Sequence, residues 1–317
     1  MIQEITQSVF VFLSKKNTKL SIELLFRTSG IYVFENGDYR KTIKLFKTPY
    51  KKIPKQIVRK LDNCQKIVYL FENHNLDANL CDKLFHVSAL KGNLDVVKFL
   101  VENGADIHAK NDYALRQSAK RGHLEIVKFL VENGADIHAN DNYALEHSAC
   151  CGHLEIVKYL VENGADVHIE DDYVLRWSAR EGRTEIVKYL VEAGADIHSK
   201  DDYALRHSAS KGHLEIVKYL VESGADIHAQ NDCALRHSAS SGHLEIVKYL
   251  VESGADIHAA DDYALRRSVE NDHLEVVKYL VENGANIRAK NDYALRWSVT
   301  NGRLDILKIL VSAHTDD

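Results

Sequence analysis

Apolar positions recur along most of this chain at the spacing of short helices. In residues 112–141, Leu124, Val127, Leu130 and Val131 fall on one side of a helix. Steps of three and four turn such a stripe toward a core. Glu125 and Lys128 stand one turn apart on the wet side, where an ion pair adds little more than a few tenths of a kcal/mol. Upstream, residues 113–120 read as a shorter helix, with Ser118 and Ala119 small where a neighbour must approach. Gly122 separates the helices, Gly134 closes the second, and residues 135–141 are rich in turn formers.

The same pattern returns every 30 residues. Gly-Ala-Asp-Ile-His begins at Gly104, Gly134, Gly194, Gly224 and Gly254, with variants at Gly164 (Val167 for Ile) and Gly284 (Asn286 and Arg288). Copies occupy 82–111, 112–141, 142–171, 172–201, 202–231, 232–261 and 262–291, followed by a truncated eighth at 292–317. A degenerate copy is read at 52–81, where Tyr69-Leu70-Phe71-Glu72-Asn73 precedes Phe99-Leu100-Val101-Glu102-Asn103 by 30. A unit this small cannot bury its stripe alone, whereas stacked copies cover one another. The expected organisation is an N-terminal cap over 1–60 and a repeat array over 61–317, degenerate as far as 81. Neighbouring rungs should lie about 8–10 Å apart.

The run Ala-x-x-Gly-His-Leu-Glu-Ile-Val-Lys-Tyr-Leu-Val-Glu-x-Gly-Ala-Asp-Ile-His-Ala, from Ala209 to Ala229, resembles the ankyrin repeat. The resemblance covers residues 82–317. It implies an all-α repeat solenoid, a stack of helix-turn-helix units that binds proteins and has no chemistry of its own. The family repeat has about 33 residues and opens with Thr-Pro-Leu-His-x-Ala. Here that opening reads Tyr-Ala-Leu-Arg-x-Ser, as in Tyr203 to Ser208. Three residues fewer predict that the family's projecting finger is reduced to a turn. The Asp-Tyr-Ala-Leu-Arg spelling is similar to the 30-residue ankyrin repeats of giant DNA viruses of amoebae (mimivirus-like), which implies a host protein as partner.

Composition narrows the setting. The apolar fraction of 45% and the net charge of -5 suit a folded chain and name no partner. Five cysteines at no metal or redox spacing argue against a disulfide framework and for a reducing compartment. The apolar patch at residues 9–13 lacks the flanks of a signal peptide. No apolar run approaches the roughly 20 residues that span a bilayer. A soluble, monomeric, intracellular protein is expected, in the host cytoplasm with the nucleus left open, without cofactor or membrane.

Four ladders imitate active sites. Seventeen histidines invite a metal reading. Most belong to two columns, His108, His138, His168, His198, His228, His258 and His123, His153, His213, His243, His273. Rungs about 8–10 Å apart cannot share a zinc whose ligands sit at about 2 Å. By the family resemblance, the Gly-His histidines cap and bond loop backbone. The column Asp106, Asp136, Asp166, Asp196, Asp226, Asp256 suits turn-stabilising Asx geometry better than acid-base catalysis, since a catalytic residue has no reason to recur in every rung. Arg116, Arg176, Arg206, Arg236, Arg266 and Arg296, broken by Glu146, follow Asp112, Asp172, Asp202 and Asp262 by four positions. That spacing predicts a solvated ion ladder at the start of helix one. There is no P-loop, no Gly-x-Gly-x-x-Gly and no paired-cysteine zinc motif.

Specific binding needs positions that differ between otherwise identical rungs, and three columns do. One reads Gln117, His147, Trp177, His207, His237, Arg267, Trp297. The second, ending helix one, reads Lys120-Arg121, Cys150-Cys151, Arg180-Glu181, Ser210-Lys211, Ser240-Ser241, Glu270-Asn271, Thr300-Asn301. The third, in the turn, reads Lys110, Asn140, Glu170, Lys200, Gln230, Ala260, Lys290. The resemblance places helix one and the turn on the family's concave groove. The candidate partner-binding residues are therefore Trp177, Trp297, His147, His207, His237, Arg267, Gln117, Arg121, Arg180 and Lys211. For the two tryptophans two readings stay open, interface anchor or packing over the short turn.

Residues 1–60 lack the period. Ile31, Val33 and Thr42-Ile43-Leu45 around Glu35-Asn36-Gly37-Asp38 predict a β-hairpin within the cap. Residues 40–60 are basic without an acid, including Lys44, Lys47, Lys51, Lys52 and Lys55. Residues 1–81 carry 14 basic and 7 acidic groups, leaving the remainder at -12. Nucleic-acid or phosphate binding by this segment is the alternative to a protein-binding scaffold, and a solvated basic face is the plainer reading.

Overall fold

The computed structural model describes residues 78–315. The hairpin read at 30–46, the basic segment 40–60 and most of the degenerate copy at 52–81 lie outside the described residues. The chain divides into two compact units, 1–114 and 115–317.

Among the described residues there are sixteen helices and no strand. The first unit holds the pair α1 (Ala78–Lys91) and α2 (Leu94–Glu102), and α3 (Ala109–Arg121) begins in it. In the second unit the first helix of each copy is α5 (Ala139–Cys151), α7 (Ile169–Arg180), α9 (Ser199–Lys211), α11 (Ala229–Ser240), α13 (Ala259–Glu270) or α15 (Ala289–Thr300). The second helices are α4 (Leu124–Glu132), α6 (Leu154–Glu162), α8 (Thr184–Glu192), α10 (Leu214–Glu222), α12 (Leu244–Glu252), α14 (Leu274–Glu282) and α16 (Leu304–Thr315). First helices pack on first helices and second on second, giving an all-helical repeat solenoid of two layers. Leu205, Ala209, Ile216, Val217 and Leu220 are fully buried between the layers, as are their counterparts in neighbouring copies. At the last rung the stacking column comes into the open: Val299 is 63% exposed, while Ala209, Ala239 and Val269 are fully buried.

The second helix ends as its sequence dictates. Gly224, at φ +100, donates to the Val221 carbonyl, and Ala225 N–H reaches back to Leu220 at 2.9 Å. These bonds satisfy carbonyls that the helix end leaves free.

The connection to the next copy is the surprise. Its last three residues are left-handed and none is glycine: Lys200, Asp201 and Asp202 at φ +53, +54 and +55, and likewise in every other described copy. A non-glycine residue in this region costs roughly 1–2 kcal/mol, least for Asn and Asp. The sequence meets that cost with Asn or Asp at the second and third positions throughout. It also meets it with the arginine column. Arg206 Nε donates to the Asp201 carbonyl at 2.7 Å and Nη2 to the Lys200 carbonyl at 2.8 Å. Arg176, Arg236 and Arg266 grip their own turns in the same way. The expected ion ladder is therefore corrected: these arginines bind turn carbonyls. The exception supports the point. The copy with Glu146 in the arginine position has no such donor, and its turn, Asn140-Asp141-Asn142, is the one built wholly of Asn and Asp.

The third left-handed residue is buried and joins copy to copy. Asp202 is 4% exposed, and its Oδ1 accepts from His198 Nδ1 of the preceding copy at 3.1 Å and from the Asp226 backbone N–H in the next turn at 2.9 Å. Asp172, Asp232 and Asp262 accept the equivalent pair of bonds. The other histidine column ties adjacent copies too. His243 Nε2 lies 3.1 Å from the Ser210 carbonyl, and its ring rests on Gly212, where a Cβ would approach to 2.7 Å.

Two stability outcomes follow. Arg206→Ala should cost about 2 kcal/mol, the scale of losing charge-assisted bonds to backbone, and adding Lys200→Asn should recover part of it. Asp202→Ala should cost about 1–2 kcal/mol by removing two hydrogen bonds to a buried carboxylate, whereas Asp202→Asn, the residue already present at Asn142, should cost under about 1 kcal/mol. Urea unfolding midpoints measure all four.

Candidate partner-binding face

With the fixed columns assigned to turns and stacking, the positions that vary can be placed. Gln117, His147, Trp177, His207, His237, Arg267 and Trp297 are all half-buried on the first helices. Arg121 and Lys211 are exposed at helix ends, and Arg180 is half-buried. Two of the varied columns thus lie near the end of helix one, and the third lies in the left-handed turn.

Five of these seven lean on the residue four positions before them, a tyrosine in four cases. His147 stacks on Tyr143 at 3.6 Å between ring centres, Trp177 on Tyr173 at 5.5 Å, and His207 on Tyr203 at 3.7 Å. The Arg267 guanidinium lies 5.1 Å from the Tyr263 ring centre. Arg176 and Arg266 each sit near their own tyrosine and the next, Arg176 at 5.6 Å from Tyr173 and 5.3 Å from Tyr203. Aromatic rings and guanidinium groups therefore alternate along the stack. The tyrosine column escaped the sequence reading, although four-residue spacing on a helix was signal enough. In one copy Cys233 replaces the tyrosine, and its thiol lies 3.7 Å from His237 Nδ1.

Electrostatics differ from copy to copy. Burial, then Arg206, Arg180, His237 and Lys211, pull the His207 imidazole down to about 4. Burial and Lys120 lower His147 in the same direction. Burial and Glu170 raise the Glu146 carboxyl, and a hydrogen bond with Tyr173 opposes them. Arg267 is paired internally with Glu270, which also takes the Tyr293 hydroxyl. The turn column is partly spent on lateral contacts: Lys200 to Asp171 at 2.5 Å, Lys290 to Asp261 at 2.7 Å, Gln230 to Asp201 at 2.9 Å.

The ladders resolve into structure. Asp196 Oδ1 accepts the His198 N–H at 2.9 Å, the Asx turn expected of that column, and its equivalents repeat it. The His198 column serves the buried aspartates and the His213 column the preceding copy's carbonyls. Among the described residues no group of three or more His, Cys, Asp or Glu side chains is placed to hold a metal ion. Nor is any helix long and apolar enough to cross a membrane.

Comparison with known proteins decides the family. The model for ankyrin repeats (3 copies) matches residues 85–171, 175–261 and 257–317. This chain belongs to the ankyrin repeat family. No curated protein matches it. Ankyrin repeats are generally protein–protein interaction scaffolds and typically non-enzymatic. In this ankyrin array the three-residue left-handed turn stands where the longer family repeat has room for a finger.

A titration reads the electrostatics directly. The His207 imidazole should titrate near pH 4 by NMR. Its folded pKa lies below the unfolded value of about 6.5, so the unfolded chain binds the extra proton between those limits. Stability should fall as pH drops from about 6.5 to 4, and His207→Gln should remove that part of the slope.

Proposed function

We propose that this chain is a non-catalytic scaffold that binds a partner protein on the first-helix and turn face. The observation that carries it is the division of labour among columns. Positions constant between copies are consumed by stacking, turns and inter-copy bonds, and positions that change gather on one face. Energy for binding comes from aromatic and arginine anchors more than from area. Trp177, His147, His207, His237 and Arg267 supply such anchors, with Gln117, Arg121, Arg180, Lys211 and Trp297 around them. The stacking of Trp177 on Tyr173 and beneath Arg180 pre-orients the ring, which lowers the entropy lost on binding. Resemblance to the amoebal giant-virus repeats supports a host protein as the partner and the host cytoplasm as the place.

The test is affinity capture from amoebal lysate with full-length protein and a variant carrying Trp177→Ala, Trp297→Ala, His207→Ala and Arg267→Ala. The full chain should retain a discrete partner and the variant should lose it at unchanged helicity. Retention by the variant would move binding off this face. A partner that is instead lost on neutralising Lys44, Lys47, Lys51, Lys52 and Lys55 would favour the basic segment.

A further inference from the structure

The varied face is not uniform in charge. The Arg180 guanidinium lies 4.2 Å from the Trp177 ring centre, and the half-buried Arg180 pairs with the exposed Glu181 at 3.9 Å. One copy on, Lys211 is exposed beside His207. Arg206 is fixed by the turn carbonyls. Among the varied helix-end positions of these two copies, Arg180 and Lys211 face Glu181 alone as an acid. The flanking copies are neutral there, Cys150-Cys151 on one side and Ser240-Ser241 on the other. The cation at Arg267 is already neutralised by Glu270. At these helix-end positions two cations thus stand against one acid, although copies 172–201 and 202–231 are each net -1 as a whole. Burial lowers the His207 imidazole first, and Arg206, Arg180, His237 and Lys211 lower it further.

Aromatic rings border this charge at regular intervals. Tyr143 with His147, Tyr173 with Trp177 and Tyr203 with His207 form three stacked pairs on consecutive copies. First helices pack about 8–10 Å apart. A polyproline II strand rises about 3.1 Å per residue with three residues per turn. It therefore returns a side chain to the same face about every 9 Å, one per copy. A β-strand does not match, because residues three apart point to opposite faces. Aromatic-lined grooves also suit the preformed, low-entropy polyproline helix.

We infer that Trp177, Arg180, His207 and Lys211 form a site for an acidic, proline-rich segment of the partner, with carboxylates at every third residue. This rests on the protein-binding reading above. Carboxylates on successive turns meet Arg180 and Lys211. Prolines between them lie against the stacked rings.

Fluorescence anisotropy on the full chain tests it with four labelled probes: (Glu-Pro-Pro)4, (Gln-Pro-Pro)4, a peptide of the first composition with its glutamates clustered, and a twelve-residue oligothymidine. The (Glu-Pro-Pro)4 peptide should bind best. Arg180→Glu with Lys211→Glu should weaken it at least about tenfold, as expected when complementary charges are reversed. Lys218→Glu on the second-helix layer should leave it within about twofold. Should the double reversal lose helicity, Arg180→Gln with Lys211→Gln and a salt titration replace it, with the same ordering expected. Equal binding of the glutamine peptide, indifference to the double change, or no binding to the parent protein overturns the inference. Equal binding of the clustered peptide overturns the spacing. Tighter oligothymidine binding, lost in the same variant, assigns the face to nucleic acid instead. If affinity capture still loses its partner in the four-alanine variant while these peptides fail, the scaffold reading stands and this inference alone falls.

Discussion

A buried carboxylate at the end of a left-handed turn holds this array together. Asp202 accepts one hydrogen bond from His198 of the preceding copy and another from the Asp226 backbone N–H in the next turn. A buried acceptor left without donors is costly, by about 1–3 kcal/mol. The aspartate must therefore arrive at one position with one geometry. That demand fixes the three left-handed residues before helix one. Those in turn call for Asn and Asp, and for an arginine to cover the exposed carbonyls. Much of what looks like repetition for its own sake in the sequence follows from this one requirement.

The compensation at residues 140–146 shows the constraint at work. Where Glu146 removes the arginine grip, the turn becomes Asn140-Asp141-Asn142, the composition that tolerates the left-handed region best. Asn142 still presents an oxygen to His138, at 2.8 Å. A conflict at one position has been absorbed by its neighbours while the 30-residue register holds.

The helices, their period and the stack were legible because the apolar stripe of Ile216, Val217 and Leu220 has one periodicity and one use. The shortened finger was legible as missing length, but its form was not. Nothing in Lys200-Asp201-Asp202 distinguishes an ordinary turn from three left-handed residues. Asp202 followed four later by Arg206 looks like a helix-surface ion pair, and only coordinates show the guanidinium turned back to the carbonyls. The histidine columns were legible as structural, yet their partners lie 33 residues away or across a copy boundary. The varied columns could be found by comparing copies. Their half-burial against the tyrosine column could not, because it depends on how far each ring sinks between stacked helices.

On the proposed binding face, packing and recognition would fall on the same residues. Trp177 rests on Tyr173 and carries Arg180, so the interior orients the groups that face outward. The most direct test of the separation between fixed scaffold and varied face is a photo-crosslinking walk on the full-length protein in amoebal lysate. A photoreactive phenylalanine would be placed at 207 and 211 on the first helix and at 218 and 248 on the second. A single discrete adduct from 207 and 211, with none from 218 and 248, is the predicted result. The same adduct from the second-helix positions, with none from the first, would contradict it.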